Sequence, residues 1–348
     1  MSRWNAFVQL FLARIREFFR EPEVVFWVFG FPLILAVGLG VAFRNRPPDE
    51  VRIGVVNQAG AGEMARSLEA GGTLHVVRLE ASEVERTLRL GKVALVVVPG
   101  PEAGDACELK FDPSRPESLL ARQEAGAAIQ RAAGRTDPVR ITETHVTEPG
   151  ARYIDFLIPG LMGMNIMSGG MWGVGFVLVE MRTRGLLKRL VATPMRRADF
   201  LAAMMASRMT LVFIEMVLLL GFGWLAFRMV IAGSLGTILL LALLGAFVFT
   251  GLGLLAASRA RKIETISGLI NLIMLPMFVF SGIFFSSDRF PDAAQPFIKA
   301  LPLTALNDAF RATILEGAGL VSQTGRVAIL LAWGALAFYF ALRRFRWS

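Results

Sequence analysis

Cysteine, histidine and charge are all scarce in this chain of 348 residues. The single cysteine, Cys107, has no second thiol to pair with, so an intrachain disulfide is excluded. The two histidines, His75 and His145, have no Cys/His cluster around them, which leaves no metal-ligand set; both read as ordinary surface or core residues. Charged side chains make up 19% of the sequence, against about 25% in a soluble domain. No Gly-x-x-x-x-Gly-Lys-Ser/Thr phosphate loop occurs, so the chain cannot hydrolyse ATP by that route. No nucleophile–base constellation is visible either, which sets a membrane enzyme low among the alternatives.

What is present is hydrophobic, at 54% of residues, and concentrated in blocks. A helix crossing a hydrocarbon core of about 30 Å needs roughly 20 apolar residues. Six stretches meet that length: 24–43, 156–179, 209–227 (interrupted only by Glu215), 234–257, 265–287 and 321–342. The first is too long for a signal-peptide core and lacks a small-residue cleavage site, so it reads as a retained anchor.

The net charge of +9 is distributed across the chain as a membrane protein distributes it. One set of alternate flanks, with both termini, holds 17 basic and 6 acidic residues; the polar segment 44–152 is nearly balanced at 15 and 16. Positive flanks stay in the cytoplasm, so both termini are expected there. The same asymmetry explains the basic balance better than a nucleic-acid surface would.

Residues 1–22 form a separate element. Trp4, Phe7, Phe11, Ile15 and Phe18 recur at helical spacing, which predicts an amphipathic helix in the membrane interface ending near Pro22, or a plain charged leader. Residues 44–152 change character at Arg44-Asn45-Arg46-Pro47-Pro48. Short β-rich runs (51–56, 74–79, 93–98, 108–111) alternate with helical ones (63–70, 82–90, 116–133), predicting a small extracytoplasmic α/β domain inserted between the first and second spans. Asp105, Asp112 and Asp137 there sit in turn-forming stretches.

The loop after the second span carries the most information. Glu180 ends the apolar run; Leu186, Leu187, Leu190 and Val191 make an apolar stripe, with Arg184 and Lys188 beside it. Pro194 forces Thr193 out of helical geometry, so one short helix stops and another starts toward Phe200. A short amphipathic helix on the cytoplasmic side is a lever that a soluble partner can push; the plainer alternative is a topology-setting basic loop.

In their order along the chain, several motifs resemble the ABC-2 family of exporter permeases. They are Arg20-Glu21-Pro22-Glu23 before Phe26-Trp27 and Gly30-Phe31-Pro32, the large outside insert, Tyr153-Ile154-Asp155-Phe156-Leu157-Ile158-Pro159-Gly160, the loop Glu180…Gly185…Leu190…Thr193-Pro194, Pro276 with Ser281-Gly282, and Leu301-Pro302-Leu303-Thr304. The resemblance implies an α-helical polytopic membrane protein of six transmembrane helices. It implies a coupling segment at Glu180, Arg184, Gly185, Leu187, Leu190, Thr193 and Pro194 that meets a separate ABC ATPase subunit, within a cytoplasmic loop spanning 180–208. ATP and Mg would bind on that partner and no cofactor on this chain. A second permease copy or a paralogue would complete the transporter, in the bacterial cytoplasmic (inner) membrane. Met181-Arg182-Thr183-Arg184 departs from the acidic pair and Thr that family members often carry there.

The resemblance also places the second and fifth spans around the substrate pathway, which singles out Asn165 and Asn271; each has an interhelical hydrogen bond as its alternative role. Gly169-x-x-x-Gly173 reads as a close helix-packing motif. Glu215, an acidic residue inside a span, is expected to pair with Arg208 or to relay protons. Pro291, Pro296 and Pro302 interrupt 288–320, predicting a re-entrant outer cap. The substrate expected is hydrophobic or amphipathic, drug-like or lipid-like, moved outward. The alternative, an ion-coupled secondary transporter, would show inverted repeats and several paired intramembrane charges. A membrane-anchored sensor or scaffold would need only one or two spans.

Overall fold

The computed structural model describes residues 3–43, 51–70, 72–100, 107–113, 115–135, 152–192 and 196–344. His145, Thr193 and Pro194 lie outside the described residues, and of Trp4 and Leu190 only the backbone is described. The chain divides into two compact units, residues 46–146 and the remainder.

The larger unit is helical. Among the described residues, six helices are long and apolar enough to cross a membrane: Pro22–Ala42, Tyr153–Thr183, Asp199–Phe227, Leu235–Arg259, Ile263–Phe280 and Val321–Arg344. The second and fourth are buried over most of their length, while the first, fifth and sixth leave most of theirs open. The amphipathic helix Arg3–Arg20 precedes them and packs on the third span. It ends before Pro22, whose fixed φ suits the first turn of the next helix.

Several boundaries differ from the hydropathy blocks. The fifth helix stops at Phe280 rather than 287, because Gly282 takes φ +68° and turns the chain. The third begins at Arg197, so the end of the expected 180–208 loop is helical, and Arg208 is buried rather than a flanking surface charge. The prolines of 288–320 begin helices rather than break them: Pro296 opens Gln295–Ala300 and Pro302 opens Pro302–Glu316. This last helix, called the cap helix here, buries Leu303, Thr304, Leu306, Asn307 and Phe310 among its neighbours.

Two π-helical turns, Phe26–Gly30 in the first span and Met171–Phe176 in the second, shift helical phase by inserting a residue. The second accounts for a correction to the small-residue motif. Gly173 faces open space, and Gly169 faces the Arg208 guanidinium, which would lie 2.0 Å from an added Cβ. The close helix–helix approach is made instead by Gly170 and Gly175 on either side of Gly253 of the fourth span. A Cβ on Gly175 would lie 2.7 Å from the Gly253 carbonyl oxygen, and one on Gly253 would lie 2.5 Å from that of Gly170. Lipid is as apolar as leucine, so such backbone proximity supplies packing that hydrophobicity alone does not.

The smaller unit has a four-stranded sheet in the order β2-β1-β3-β4, with β1 Val51–Val56, β2 Leu74–Leu79, β3 Leu95–Val98 and β4 Glu108–Phe111. β1 runs parallel to β2 and β3, and β4 is antiparallel at the edge. Ile53 and Val55 on one face pack with Leu68, Ala121 and Ala125; Val56 and Val96 on the other pack with Val84. Burial on both faces explains why β3, Leu95–Val98, is a continuous apolar run, whereas the edge strand β4 alternates polar and apolar residues.

Candidate functional site

The segment after the second span is built from a capped helix end. The Glu180 carboxylate pairs with Arg184 at 2.7 Å, one turn on, and its carbonyl accepts from the Thr183 hydroxyl at 2.9 Å. Gly185 then adopts φ +71°, a left-handed conformation that is nearly free for glycine, and reverses the chain into the short helix Leu186–Val191. Leu187 is 1% exposed and belongs to the apolar core, whereas Leu186, Lys188 and Arg189 are exposed. One side of this short helix is therefore anchored and the other offered.

Arg182 adds a connection that sequence reading missed. Its guanidinium donates to the carbonyls of Ala257 at 3.0 Å and Ala260 at 2.9 Å, at the end of the fourth span. Final-turn carbonyls have no intrahelical partner, and a cation suits their partial negative charge. Nothing local to Met181-Arg182-Thr183-Arg184 signals this, because its partners lie in a different helix. The segment is thus tied both to its own helix and to the fourth.

Within the spans, Arg208 and Glu215 form a doubly bonded pair at 2.6 and 3.2 Å, and a guanidinium nitrogen also donates to the Asn165 carbonyl at 3.0 Å. The Asn165 side chain donates to Val28 O at 3.0 Å, inside the first π-turn, where the wider helix frees a carbonyl. One polar chain therefore links the first, second and third spans. Asn165 and Asn271 are not brought together: Asn165 is taken up by this chain, while Asn271 lies on the open face of the fifth span, near Gly268, Leu272 and Leu275, without a hydrogen bond among the described residues.

At the other end of the spans, Arg152 makes a bidentate pair with buried Asp155, both bonds at 2.9 Å, and donates to the Phe227 carbonyl at 2.7 Å. The hydrogen bond to Asp155 holds this guanidinium above the ordinary arginine range, against the opposing effect of burial. Arg311 of the cap helix stacks on the Phe156 ring at 3.7 Å and donates to the Gly282 carbonyl. Burial pushes its guanidinium down to about 10, opposed by Asp308 at 3.5 Å. Below it, Asn307 donates to the Ser281 carbonyl at 2.8 Å and the Thr304 hydroxyl to that of Ser281 at 3.0 Å, so the cap helix is fastened to the end of the fifth span.

Comparison with known proteins places the chain in a family. The linearmycin resistance permease protein LnrN of Bacillus subtilis (strain 168) is 23% identical over 94% of this chain and 96% of its own length. The inner membrane transport permease YhhJ of Escherichia coli (strain K12) is 26% identical over 49% of this chain and 46% of its own length. ABC transporter G family member 20 of Dictyostelium discoideum is 26% identical over 63% of this chain, which spans only 29% of that protein. A family model for ABC-2 family transporter proteins matches residues 22–343, so the chain belongs to the ABC-2 family, whose members are the membrane-spanning rather than the nucleotide-binding subunits of ABC transporters.

Proposed function

We propose that this chain is the permease of an ATP-driven exporter that moves a hydrophobic or amphipathic substrate, drug-like or lipid-like, outward. ATP and Mg act on a separate ABC ATPase subunit, and this chain binds neither. The chain sits in a bacterial inner membrane with both termini in the cytoplasm, an orientation the basic flanks support, and with the α/β unit on the outer side. Two permeases, as identical copies or paralogues, assemble through the open faces of the first and fifth spans. The fifth-span face with Asn271 lines the pathway, and Asn165 supports the neighbouring helices behind it.

The observation that carries this reading is the two-sided short helix Leu186–Val191: Leu187 is seated in the core while Lys188 and Arg189 are offered to a partner. A push from the ATPase on Glu180, Arg184, Gly185, Leu190, Thr193 and Pro194 would reach the bundle through Leu187 and, through Arg182, the fourth span. Outward transport is supported by the resistance permease that aligns with nearly the whole chain.

Copurification from gently solubilised native membranes tests it. An ATPase should accompany the wild type and be lost from an Arg184→Glu, Lys188→Glu variant that still elutes as a folded particle. If no nucleotide-binding protein accompanies the wild type, ion-coupled transport takes its place.

A further inference from the structure

A cleft of about 880 Å³ opens where the third span turns into the fourth, lined by Trp224, Leu225, Arg228, Val230 and Leu235 among others. Its lining is apolar except at Arg228. That residue is the only non-glycine with positive φ among the described residues, at 50°. The left-handed conformation is strained for a residue with a Cβ and nearly free for glycine. An arginine standing where glycine would fit better points to use of its side chain.

The cleft is preformed. Met229 turns inward and its N–H donates to the Gly223 carbonyl at 3.1 Å. Ala232 N–H donates to Ile314 O at 2.8 Å, and Gly233 passes so close to the cap helix that a Cβ would lie 2.2 Å from the Thr313 carbonyl oxygen. Arg152, already committed to Asp155, fixes the Phe227 carbonyl next to the turn. The Arg228 guanidinium itself has no hydrogen bond or ion pair among the described residues. Beside it, Trp224 is 62% exposed. Exposed tryptophan next to a lone cation at the end of a span marks headgroup depth in a bilayer. A second cleft, of about 400 Å³, also sets a cation beside a tryptophan, Lys299 and Trp333, but there the tryptophan is half-buried and its indole N–H donates to the Ala300 carbonyl at 2.9 Å.

We propose that the Arg228 cleft is a binding site for an anionic phospholipid, with the phosphate on the guanidinium and an acyl chain against Leu225, Val230 and Leu235. Charge selects the occupant: one unpartnered cation at the mouth of an apolar cleft complements a molecule with one anionic head and an apolar tail. The proposal needs only that the chain spans a membrane; it does not depend on the direction or energy source of transport.

Native mass spectrometry of the full chain, purified from membranes and titrated with phosphatidylglycerol or phosphatidylcholine, tests it. A basic residue near a membrane surface contributes roughly fivefold to anionic-lipid affinity, so Arg228→Gly should retain about fivefold less phosphatidylglycerol. Because glycine relieves the backbone strain, that variant should unfold at the same or a higher temperature, separating lipid loss from misfolding. Arg228→Lys should keep most of the binding. Equal retention by wild type and Arg228→Gly, or equal retention of the two lipids by wild type, would overturn the site. So would displacement of the lipid by millimolar inorganic phosphate, which would leave an anion site without a lipid tail. A change in oligomeric state without a change in lipid retention would assign the cleft to a second copy of the chain and also overturn the proposal.

Discussion

Arg208 and Glu215 lie two turns apart on the third span and still meet at 2.6 Å, with only 5% and 3% of their side chains exposed. Two turns rise about 10.5 Å along a helix axis, so the pair depends on the length of the arginine side chain folded along the helix. Room for it comes from the second span, where Gly169 has no side chain to obstruct the guanidinium. The pair therefore acts as a joint between spans.

Removing one partner of a buried ion pair costs about 3–5 kcal/mol, because the other charge is left unpaired, whereas replacing both with apolar residues is often close to neutral. Glu215→Gln should accordingly lower the unfolding temperature in detergent sharply. The Arg208→Met, Glu215→Met double variant should recover most of the loss and retain transport. A double variant that is stable but inactive would reassign Glu215 to proton relay.

The glycines where the second span meets its neighbours, Gly169 and Gly173 of the second span and Gly253 of the fourth, should divide by what they face rather than by spacing. Gly169→Ala would drive a methyl into the Arg208 guanidinium, and Gly253→Ala would drive one into the backbone of the second span. Overpacking of this kind costs typically 1–3 kcal/mol. Gly173→Ala meets open space and should cost nothing. Thermal unfolding of the three variants checks the order; a Gly173 variant as unstable as the others would contradict the π-turn phase of this helix.

This phase was among the features illegible in the sequence. The six spans could be read because hydrophobic length and flanking charge are local and additive, and the N-terminal helix because Phe7, Phe11, Ile15 and Phe18 repeat on one face. Gly169-x-x-x-Gly173 misled because a π-turn rotates everything after Met171, and no residue type marks that insertion. The Asn165–Val28 bond was hidden for the same reason, since it depends on a carbonyl freed by Phe26–Gly30. In the sequence Arg182 reads as one more basic flank residue, because its carbonyl partners lie at the end of a helix about 75 residues away.

Arg182→Gln should separate association from transmission. Loss of its two carbonyl bonds leaves the end of the fourth span uncapped, at about 1–2 kcal/mol, while Lys188 and Arg189 stay on offer. The ATPase should still copurify, but stimulation of its hydrolysis by substrate should fall. If copurification is lost together with stimulation, Arg182 belongs to the docking surface and does not link it to the fourth span.

The turn at Gly185 offers the most discriminating test of the proposed coupling role of this segment. A Cβ at this position meets no neighbouring atom, so any effect of substitution comes from the backbone at φ +71° and not from crowding. Alanine should pay roughly 1–2 kcal/mol to hold the left-handed conformation. Asparagine, which visits that region more readily than other side chains, should pay less. Overall unfolding temperature should barely move, because the penalty falls on one exposed turn that can relax locally. Substrate-stimulated ATP hydrolysis should therefore fall in the order glycine, asparagine, alanine. If all three are equally active, the reversal at Gly185 does not set the angle of the short helix, and transmission must run through Arg182 and the fourth span alone.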